Sequence, residues 1–381
     1  MGRELKSIDI ARLRLNTQRI LGGTKRSPVD SVRHMTAMQG QDLPGTLWAI
    51  GLRSGATEQD VRNTFDRGEL IRSWPMRGTL HALTPDDLRM ILPLSRDRTI
   101  ASLAARHREL EISSENVTVA SDAAVNALTS DTPTASRKEL FDIFERAGQP
   151  TAGQRGAHLI FLLAHAGLIC LGPFRGKEQV FVLLDEWATP TGASPDRAEA
   201  LAAVALRYFS SHGPATVEDL AWWTKLTLTD ARAATAAVRS ALTAFPRDGR
   251  DYFASQDTAE LAARPPGSRS VLVLPGFDEY LLGYTDRSAA LAVEHSPLIV
   301  PSNNGMFKST VVVGGRVVGT WTRKDRTQVV DVTAQLFRPL TGTETTALAR
   351  AFDAYGAFRE KSVSVTTVDP SNSAPNPTSA R

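Results

Sequence analysis

One pattern of helices and strands recurs along the chain and constrains its fold more than any single motif. In each copy, amphipathic helices are followed by a turn and another helix, and then by hydrophobic strands. Three copies in 381 residues, without a strict sequence period, indicate an array of related units rather than a solenoid. We therefore predict an α+β protein, mostly α, that contains three tandem winged helix-turn-helix units.

The first unit, residues 1–118, shows this pattern most fully. Apolar residues recur at helical spacing over 8–21, 28–38 and 43–52, and Thr57 is a natural N-cap for a further helix. Residues 70–83 are strand-like with a glycine near the middle, which suits a two-stranded wing.

Capping boxes open the helices of the later units, which span residues 119–190 and 191–361. Ser136 with Glu139 begins the second, and Thr216 with Asp219 begins a helix of the third. From about residue 265 the pattern turns to β, and we expect a β-hairpin region there. We expect residues 362–381, rich in Ser, Thr, Asn and Pro, to form a disordered tail.

Composition narrows the classes of function. Of 44 basic residues only eight are Lys, so arginine, which suits phosphate and base edges, dominates a net charge of +3. Genomic base composition explains the same enrichment equally well. One cysteine, Cys170, excludes an internal disulfide, and no histidine pair or phosphate-binding loop is present, so we expect no metal and no cofactor. The sequence has no long apolar run, and residues 1–6 lack the apolar core of a signal peptide. We therefore expect no contact with a membrane.

Two glutamines, Gln39 and Gln41, flank Gly40 on a short polar break between apolar helical segments. An amide offers one acceptor and two donors, which can orient a water molecule but not take its proton. From the residues alone, a role as an N-cap or turn after the second helix is the favoured alternative. The next residue, Asp42, is favoured as the cap of the following helix, facing the amides of Gly45 and Thr46.

Four segments in order resemble one known family. They are Gln39-Gly-Gln-Asp42, Trp74-Pro-Met-Arg-Gly-Thr-Leu-His81, Leu274-Pro-Gly-Phe-Asp-Glu-Tyr-Leu-Leu-Gly-Tyr284 and Gly315-Arg-Val-Val-Gly-Thr-Trp321. Together they resemble the AlkZ family of bacterial DNA glycosylases, over roughly residues 13–355. The resemblance implies a C-shaped body of three winged helices whose basic concave face holds duplex DNA.

The same resemblance places a catalytic motif, glutamine–apolar residue–glutamine, on Gln39 and Gln41. Gly40 departs from it, and this removes a side chain that would brace the two amides. Similar family members release N7-alkylated purines, and some protect antibiotic-producing bacteria from their own DNA-alkylating products.

An N7-alkylated guanine is cationic and leaves as a neutral base, so its removal needs a placed water rather than a strong acid. We therefore expect a monofunctional DNA glycosylase of base-excision repair and antibiotic self-resistance, acting on bulky N7 adducts or interstrand crosslinks. No lysine lies close in sequence to the glutamine pair, which argues against lyase chemistry. We also expect an open cleft and little base flipping, because a crosslinked base cannot rotate freely.

Asp278 is the other catalytic candidate, as a carboxylate that would steady positive charge at the sugar. In an extended segment Tyr280 would share its face and meet DNA. The alternative for Asp278 is an ion pair with Arg287.

Two places on the predicted wings are candidates for DNA contact. Arg77 and His81, four apart on the first wing, would point the same way toward phosphates, or else simply pair with each other. Gly314-Gly315-Arg316 forms a slim cationic hairpin tip, with Arg316 entering a groove beside the lesion, or else an ordinary packed wing.

Two other functions fit the predicted architecture. A non-catalytic winged-helix transcriptional regulator shares every feature except the water-positioning pair, and a protein-interaction scaffold would need apolar exposed faces. Regulators of this kind are usually dimers on palindromic sites. Three units in one chain instead predict a monomer that binds alkylated double-stranded DNA, in the cytoplasm at the nucleoid.

Overall fold

The structure is a computed structural model that describes residues 4–21, 25–190, 192, 195–301 and 305–369. Helices and sheets alternate, as an α+β chain requires. The helices are α1 (Ser7–Thr17), α2 (Pro28–Met35), α3 (Leu43–Ser54), α4 (Glu58–Asp66), α5 (Pro85–Ser102), α6 (Ala104–Glu109), α7 (Ser114–Leu128), α8 (Arg137–Arg146), α9 (Arg155–His165), α10 (Leu184–Trp187), α11 (Arg197–His212), α12 (Val217–Thr224), α13 (Leu228–Ala237), α14 (Gln256–Glu260), α15 (Glu279–Leu282), α16 (Ser296–Ile299) and α17 (Gly342–Arg359). The strands are β1 (Met38–Gln39), β2 (Ile71–Met76), β3 (Thr79–Leu83), β4 (Ile169–Arg175), β5 (Glu178–Leu183), β6 (Leu242–Arg247), β7 (Arg250–Ser255), β8 (Val271–Leu274), β9 (Ser309–Val313), β10 (Arg316–Asp325), β11 (Val329–Leu336) and β12 (Ser362–Val368).

Three helices followed by an antiparallel strand pair occur three times in this order. The pairs are β2–β3 after α2–α4, β4–β5 after α7–α9, and β6–β7 after α11–α13. This is the element order of a winged helix-turn-helix. The capping boxes at Thr57, Ser136 and Thr216 are present, so local hydrogen bonds begin these helices where the sequence predicts.

The third strand pair, β6–β7, comes earlier than expected, because the sequence analysis placed the start of the β region at about residue 265. Its turn is Asp248-Gly249, and both residues have positive φ, at 49° and 72°. An Asp-Gly turn between two strands is a hairpin signal that reasoning from helical periodicity overlooked.

Strands from the first two predicted units join one five-stranded sheet in the order β1-β3-β2-β4-β5. β1 adds to its edge, where Met38 pairs with Ala82 and Gln39 with His81. The sheet therefore places the short segment of the glutamine pair beside the first wing. The boundaries at residues 118 and 190 remain a prediction.

A second five-stranded sheet has the order β12-β11-β10-β9-β8. β12 lies parallel to β11, with Val329 opposite Ser362 and Gln335 opposite Val368. This corrects the predicted tail at residues 362–381, because backbone pairing orders 362–368 despite their polar composition. Residues 370–381 of that tail lie outside the described part of the chain.

One hydrophobic core connects the first unit with the second sheet. Trp48 of α3 packs against Tyr355 and Phe358 of α17, with ring centroids 5.1 Å apart in both pairs, and its indole N–H donates to the Val273 carbonyl at 2.8 Å. The segment after β8 is thereby held against α3, close to the glutamine pair. Within the described residues, no helix is both long and apolar enough to cross a membrane.

Candidate active site

The two glutamines bind each other. Gln39 Nε2 donates to Gln41 Oε1 at 2.8 Å, and the Gln41 backbone N–H donates to Gln39 Oε1 at 2.6 Å. Because a backbone N–H can only donate, the oxygen of Gln39 must face it, and this fixes the orientation of both amides. Gln39 is 6 % exposed, whereas Gln41 is exposed. Gln41 therefore presents its amide N–H groups, and the second lone pair of its oxygen, to whatever enters from solvent.

The backbone of this pair is anchored at three points. Gly40 donates to the Leu80 carbonyl at 2.7 Å, and Thr46 Oγ1 donates to the Gln39 carbonyl at 3.1 Å. The Gln39 N–H donates to Glu279 Oε1 at 3.0 Å. Water positioning needs groups held within a narrow geometry, and these bonds provide it from β3, α3 and α15.

Glu279 is a site residue that the sequence analysis missed. Its carboxylate is buried and also accepts from Trp223 Nε1 at 3.0 Å, with His212 Nε2 3.6 Å away. Burial opposes ionisation, yet the His212 imidazole and the Arg77 guanidinium together hold the pKa of Glu279 at about 2. An anion thus lies directly behind the segment that carries the glutamines. Only its place beside Asp278 and Tyr280 could have indicated this role.

The surroundings of Gly40 leave little room for a side chain. A Cβ at this position would lie 3.0 Å from His81 Cα and 3.1 Å from both Ala82 N and Arg72 Cδ. Arg72 is 9 % exposed, and its Nε and Nη1 have no hydrogen-bond partner among the described residues. Burial lowers the pKa of Arg72 to about 10, opposed by the charge of Asp42, so it remains a cation at neutral pH. The backbone of β3 and the stem of Arg72 occupy the space that an apolar side chain at this position would need.

An open cleft of about 660 Å³ adjoins the pair. Residues from four parts of the chain line it: Gln41, Asp42, Gly276, Phe277, Met306, Phe307, Lys308, Ser309, Trp321, Thr322 and Arg323. Phe277, Phe307 and Trp321 contribute aromatic rings to the lining, and its charged groups are Asp42, Lys308 and Arg323. A water molecule held by Gln41 would lie at the edge of this cleft, within reach of a ligand bound in it.

Phe277 adopts a backbone conformation that few side chains accept, with φ at +61°. A non-glycine residue in the left-handed region costs about 1–2 kcal/mol, and such strain persists where neighbours dictate it. Here Gly276 lies so close to the Phe307 carbonyl that a Cβ would be 2.7 Å from it. Strained residues cluster at functional sites, and this one lines the cleft beside Gln41.

Asp42 stands at the N-cap position of α3, as predicted, but its side chain makes no capping hydrogen bond. Instead the carboxylate lies over Gly45, where an added Cβ would be 2.5 Å from Asp42 Oδ2. Asp42 is partly exposed and lines the cleft. The capping interpretation is therefore wrong for the side chain, which is left facing the site.

Asp278 forms a buried ion pair with Arg53, and not with Arg287. Arg53 Nη1 and Nη2 each donate to one Asp278 oxygen at 2.9 Å, with both side chains almost fully buried. Oδ1 also accepts from the Tyr280 N–H at 2.9 Å, which caps α15. With both oxygens occupied, the carboxylate is not directed at a sugar. The geometry favours a structural role over the predicted catalytic one.

Arg77 and His81 contact each other, with Arg77 Nη2 2.9 Å from His81 Nε2. His81 is fully buried, and burial lowers its pKa to about 3, so it is neutral and out of reach of phosphates. Arg77 begins the Arg77-Gly78 turn, with φ at +57° and +66°, and its guanidinium lies 4.8 Å from the Trp222 ring centroid. Pairing on the wing, the alternative interpretation, describes these residues better than DNA contact does.

Tyr280 was expected on an extended face, but it lies in helix α15 and is 1 % exposed. Its hydroxyl donates to the Gly315 carbonyl at 2.6 Å, so its predicted contact with DNA is wrong. Gly315 is buried as well, since a Cβ there would lie 3.3 Å from Ala11 Cβ. Arg316 donates to the Ser288 carbonyl at 3.0 Å. The β9–β10 hairpin exists as predicted, but its tip packs on α1 and does not enter a groove.

Lys308 changes one premise of the sequence analysis, because it lines the cleft although it is distant from the glutamines in sequence. Its side chain is exposed, whereas a lysine that attacks a carbonyl is activated by desolvation. Among the described residues, no cluster of His, Cys, Asp or Glu could hold a metal ion. Cys170 is buried, and burial raises its thiol pKa to about 12, so it is inert.

Comparisons with known proteins identify the family of this chain. Residues 32–358 match the family described as DNA glycosylase AlkZ-like. The chain is 28% identical over 337 residues to an interstrand DNA cross-link repair glycosylase of Streptomyces sahachiroi, which covers 83% of this chain and 88% of that protein. It is also similar to the solved structure of the DNA glycosylase AlkZ of Streptomyces sahachiroi. The TM-score is 0.80 at 24% identity, with 96% of this chain and 100% of the other covered.

The matched family region contains the glutamine pair, the first wing, the Phe277–Tyr280 segment and the β9–β10 hairpin. The structural likeness extends over nearly the whole chain and supports the same fold. The chain therefore belongs to the AlkZ-like family of DNA glycosylases.

Proposed function

We propose that this protein is a monofunctional DNA glycosylase that hydrolyses the N-glycosidic bond of N7-alkylated guanine in duplex DNA. The observation that carries the proposal is the hydrogen-bonded pair of amides, Gln39 to Gln41, with the outer amide exposed at an open cleft. The relative from Streptomyces sahachiroi is named as an interstrand DNA cross-link repair glycosylase, which supports base release from damaged DNA.

The mechanism follows from the charge of the lesion. A cationic N7-alkylguanine leaves as a neutral base, so the protein must place a water and stabilise an oxocarbenium-like sugar. One lone pair of Gln41 Oε1 accepts from Gln39, and the other can accept a hydrogen bond from a water O–H. This bond would orient the oxygen of the water. The Glu279 carboxylate, which accepts from the Gln39 N–H, adds negative charge behind the amide pair, and this charge would favour a cationic sugar. An amide is too weak a base to deprotonate the water, so the proton leaves late, to bulk solvent.

The open geometry of the cleft supports bulky N7 adducts or interstrand crosslinks as substrates, and we propose self-resistance to a DNA-alkylating antibiotic as the biological role. The cleft is not a closed pocket around a flipped base, and a crosslinked base could remain in the helix. We further propose that the protein works as a monomer at the nucleoid. Lys308 is exposed and thus not activated as a lyase nucleophile.

Duplex DNA with a single N7-methylguanine provides the test. We expect release of free N7-methylguanine and an abasic site that breaks only in alkali. Borohydride should trap no covalent protein–DNA complex; trapping that disappears in Lys308→Ala would instead reveal a lyase. Binding without any release, from this duplex or a crosslinked one, would favour a regulator.

A further inference from the structure

Phe277 and Phe307 form a continuous aromatic wall beside the exposed glutamine. Their ring centroids are 6.2 Å apart at an angle of 49°, and both side chains are partly exposed. The Arg287 guanidinium lies 5.0 Å from the Phe307 centroid and holds that ring in place. Both rings line the cleft that also contains Gln41.

The backbone around Phe277 is fixed on both sides. Gly276 packs against the Phe307 carbonyl, and Asp278 is held by two hydrogen bonds from Arg53. These contacts keep Phe277 at a φ of +61°, which a flexible loop would abandon. Glu279, which follows Asp278, accepts a hydrogen bond from the Gln39 backbone N–H. One short segment therefore couples the aromatic wall to the position of the glutamine pair.

The chemistry of the wall indicates what it contacts. A phenyl ring with an exposed face offers a large apolar surface and an electron-rich face, which favour planar aromatic groups and attract cations. A methyl group on N7 is too small to cover such a surface. Binding of an ordinary B-form duplex does not require an exposed aromatic surface either. An aromatic or otherwise planar apolar substituent on the N7 of guanine would cover it.

We propose that Phe277 is a specificity-determining residue whose ring binds the planar apolar N7 substituent of the lesion, with Phe307 as its support. The inference rests on the proposed function, because it takes the glutamine pair as the site of base release. It adds a discrimination: the protein prefers aromatic N7 adducts to N7-methylguanine, and the preference lies in this wall.

Two duplexes that differ only in the lesion test the proposal, one with N7-benzylguanine and one with N7-methylguanine. Phe277→Gly is the most informative variant, because glycine accepts the positive φ and keeps the loop without the ring. We expect its kcat/KM for the benzyl adduct to fall about 10- to 100-fold, mainly through KM, as for loss of one well-packed aromatic contact. Release of N7-methylguanine should fall at least about fivefold less than release of the benzyl adduct, and Phe277→Tyr should retain both activities.

Binding provides a readout that does not depend on catalysis. The Kd for the benzyl duplex should rise in Phe277→Gly by the same factor, and the Kd for the methyl duplex should rise at least about fivefold less. Val293→Ala removes an exposed apolar side chain outside the cleft and serves as the matched control. Equal losses on both duplexes, or none on either, would overturn the proposal. If the wild-type protein binds but releases neither base, the proposed function fails and the two Kd values still decide this inference.

Discussion

Asp278→Asn tests whether the buried carboxylate supports the fold or the chemistry. Asp278 accepts from both Nη atoms of Arg53 at 2.9 Å, and the two side chains are 4% and 0% exposed. Asparagine has nearly the same shape but offers one acceptor and no charge. The Arg53 guanidinium then stays buried without a counter-ion, which costs about 3–5 kcal/mol. Against a typical free energy of unfolding of about 5–15 kcal/mol, this is a large loss.

Urea unfolding measures the effect, with Asp97→Asn as control. Asp97 is paired to Arg96 at 3.1 Å on the surface, and its side chain is 87% exposed, so its loss should cost no more than about 1 kcal/mol. At a temperature where Asp278→Asn is still folded, its release of N7-methylguanine should stay within about tenfold of wild type. Unchanged stability with release reduced beyond about 100-fold would refute the structural assignment and return Asp278 to the chemistry.

Three further predictions follow from the surroundings of the glutamines. Glu279→Gln should slow base release about 10- to 100-fold with DNA affinity retained, because an amide cannot supply the anion behind Gln39; single-turnover kinetics and a binding titration separate the two. Gly40→Val should lower the free energy of unfolding by about 1–3 kcal/mol through overpacking, which urea unfolding measures. A more stable variant would show that the space is free. Burial lowers the pKa of His34 from 6.5 to about 4 and that of His81 to about 3. Below pH 6.5 the unfolded chain binds protons at these histidines and the folded protein does not, so the fold is fully stable only above that pH. Stability should therefore fall as pH drops from 6.5 toward 4, by up to about 3 kcal/mol for His34, and His34→Gln should flatten that decline.

Local signals predicted much of the fold. Capping boxes and helical periodicity placed α1–α4 and α8 within a few residues, because those patterns act through neighbours in sequence. The Asp248-Gly249 turn is an equally local hairpin signal, but the β region was expected only from about residue 265. β12 could not be predicted this way, since its order comes from pairing with β11 and not from its own polar residues.

The same contrast between local and long-range contacts applies to the candidate site. Gln39 and Gln41 were found because the pair is contiguous, and the resemblance assigned their role. Glu279 escaped notice because its contact with Gln39 spans 240 positions. Asp278 and Tyr280 were misplaced for the same reason: an extended segment was expected where long-range contacts hold a short helix. Partners distant in sequence decide which polar residues face solvent.

Gln41→Ala is the most direct test of the central claim that an amide pair positions the attacking water. Gln41 is exposed and its carboxamide binds only Gln39 among the described residues, so its removal should leave the fold and the DNA affinity intact. Single-turnover release of N7-methylguanine from duplex DNA should fall about 10²- to 10³-fold, as when one preorganised polar group is lost from an active site. Release at the wild-type rate, with the same affinity, would contradict the account.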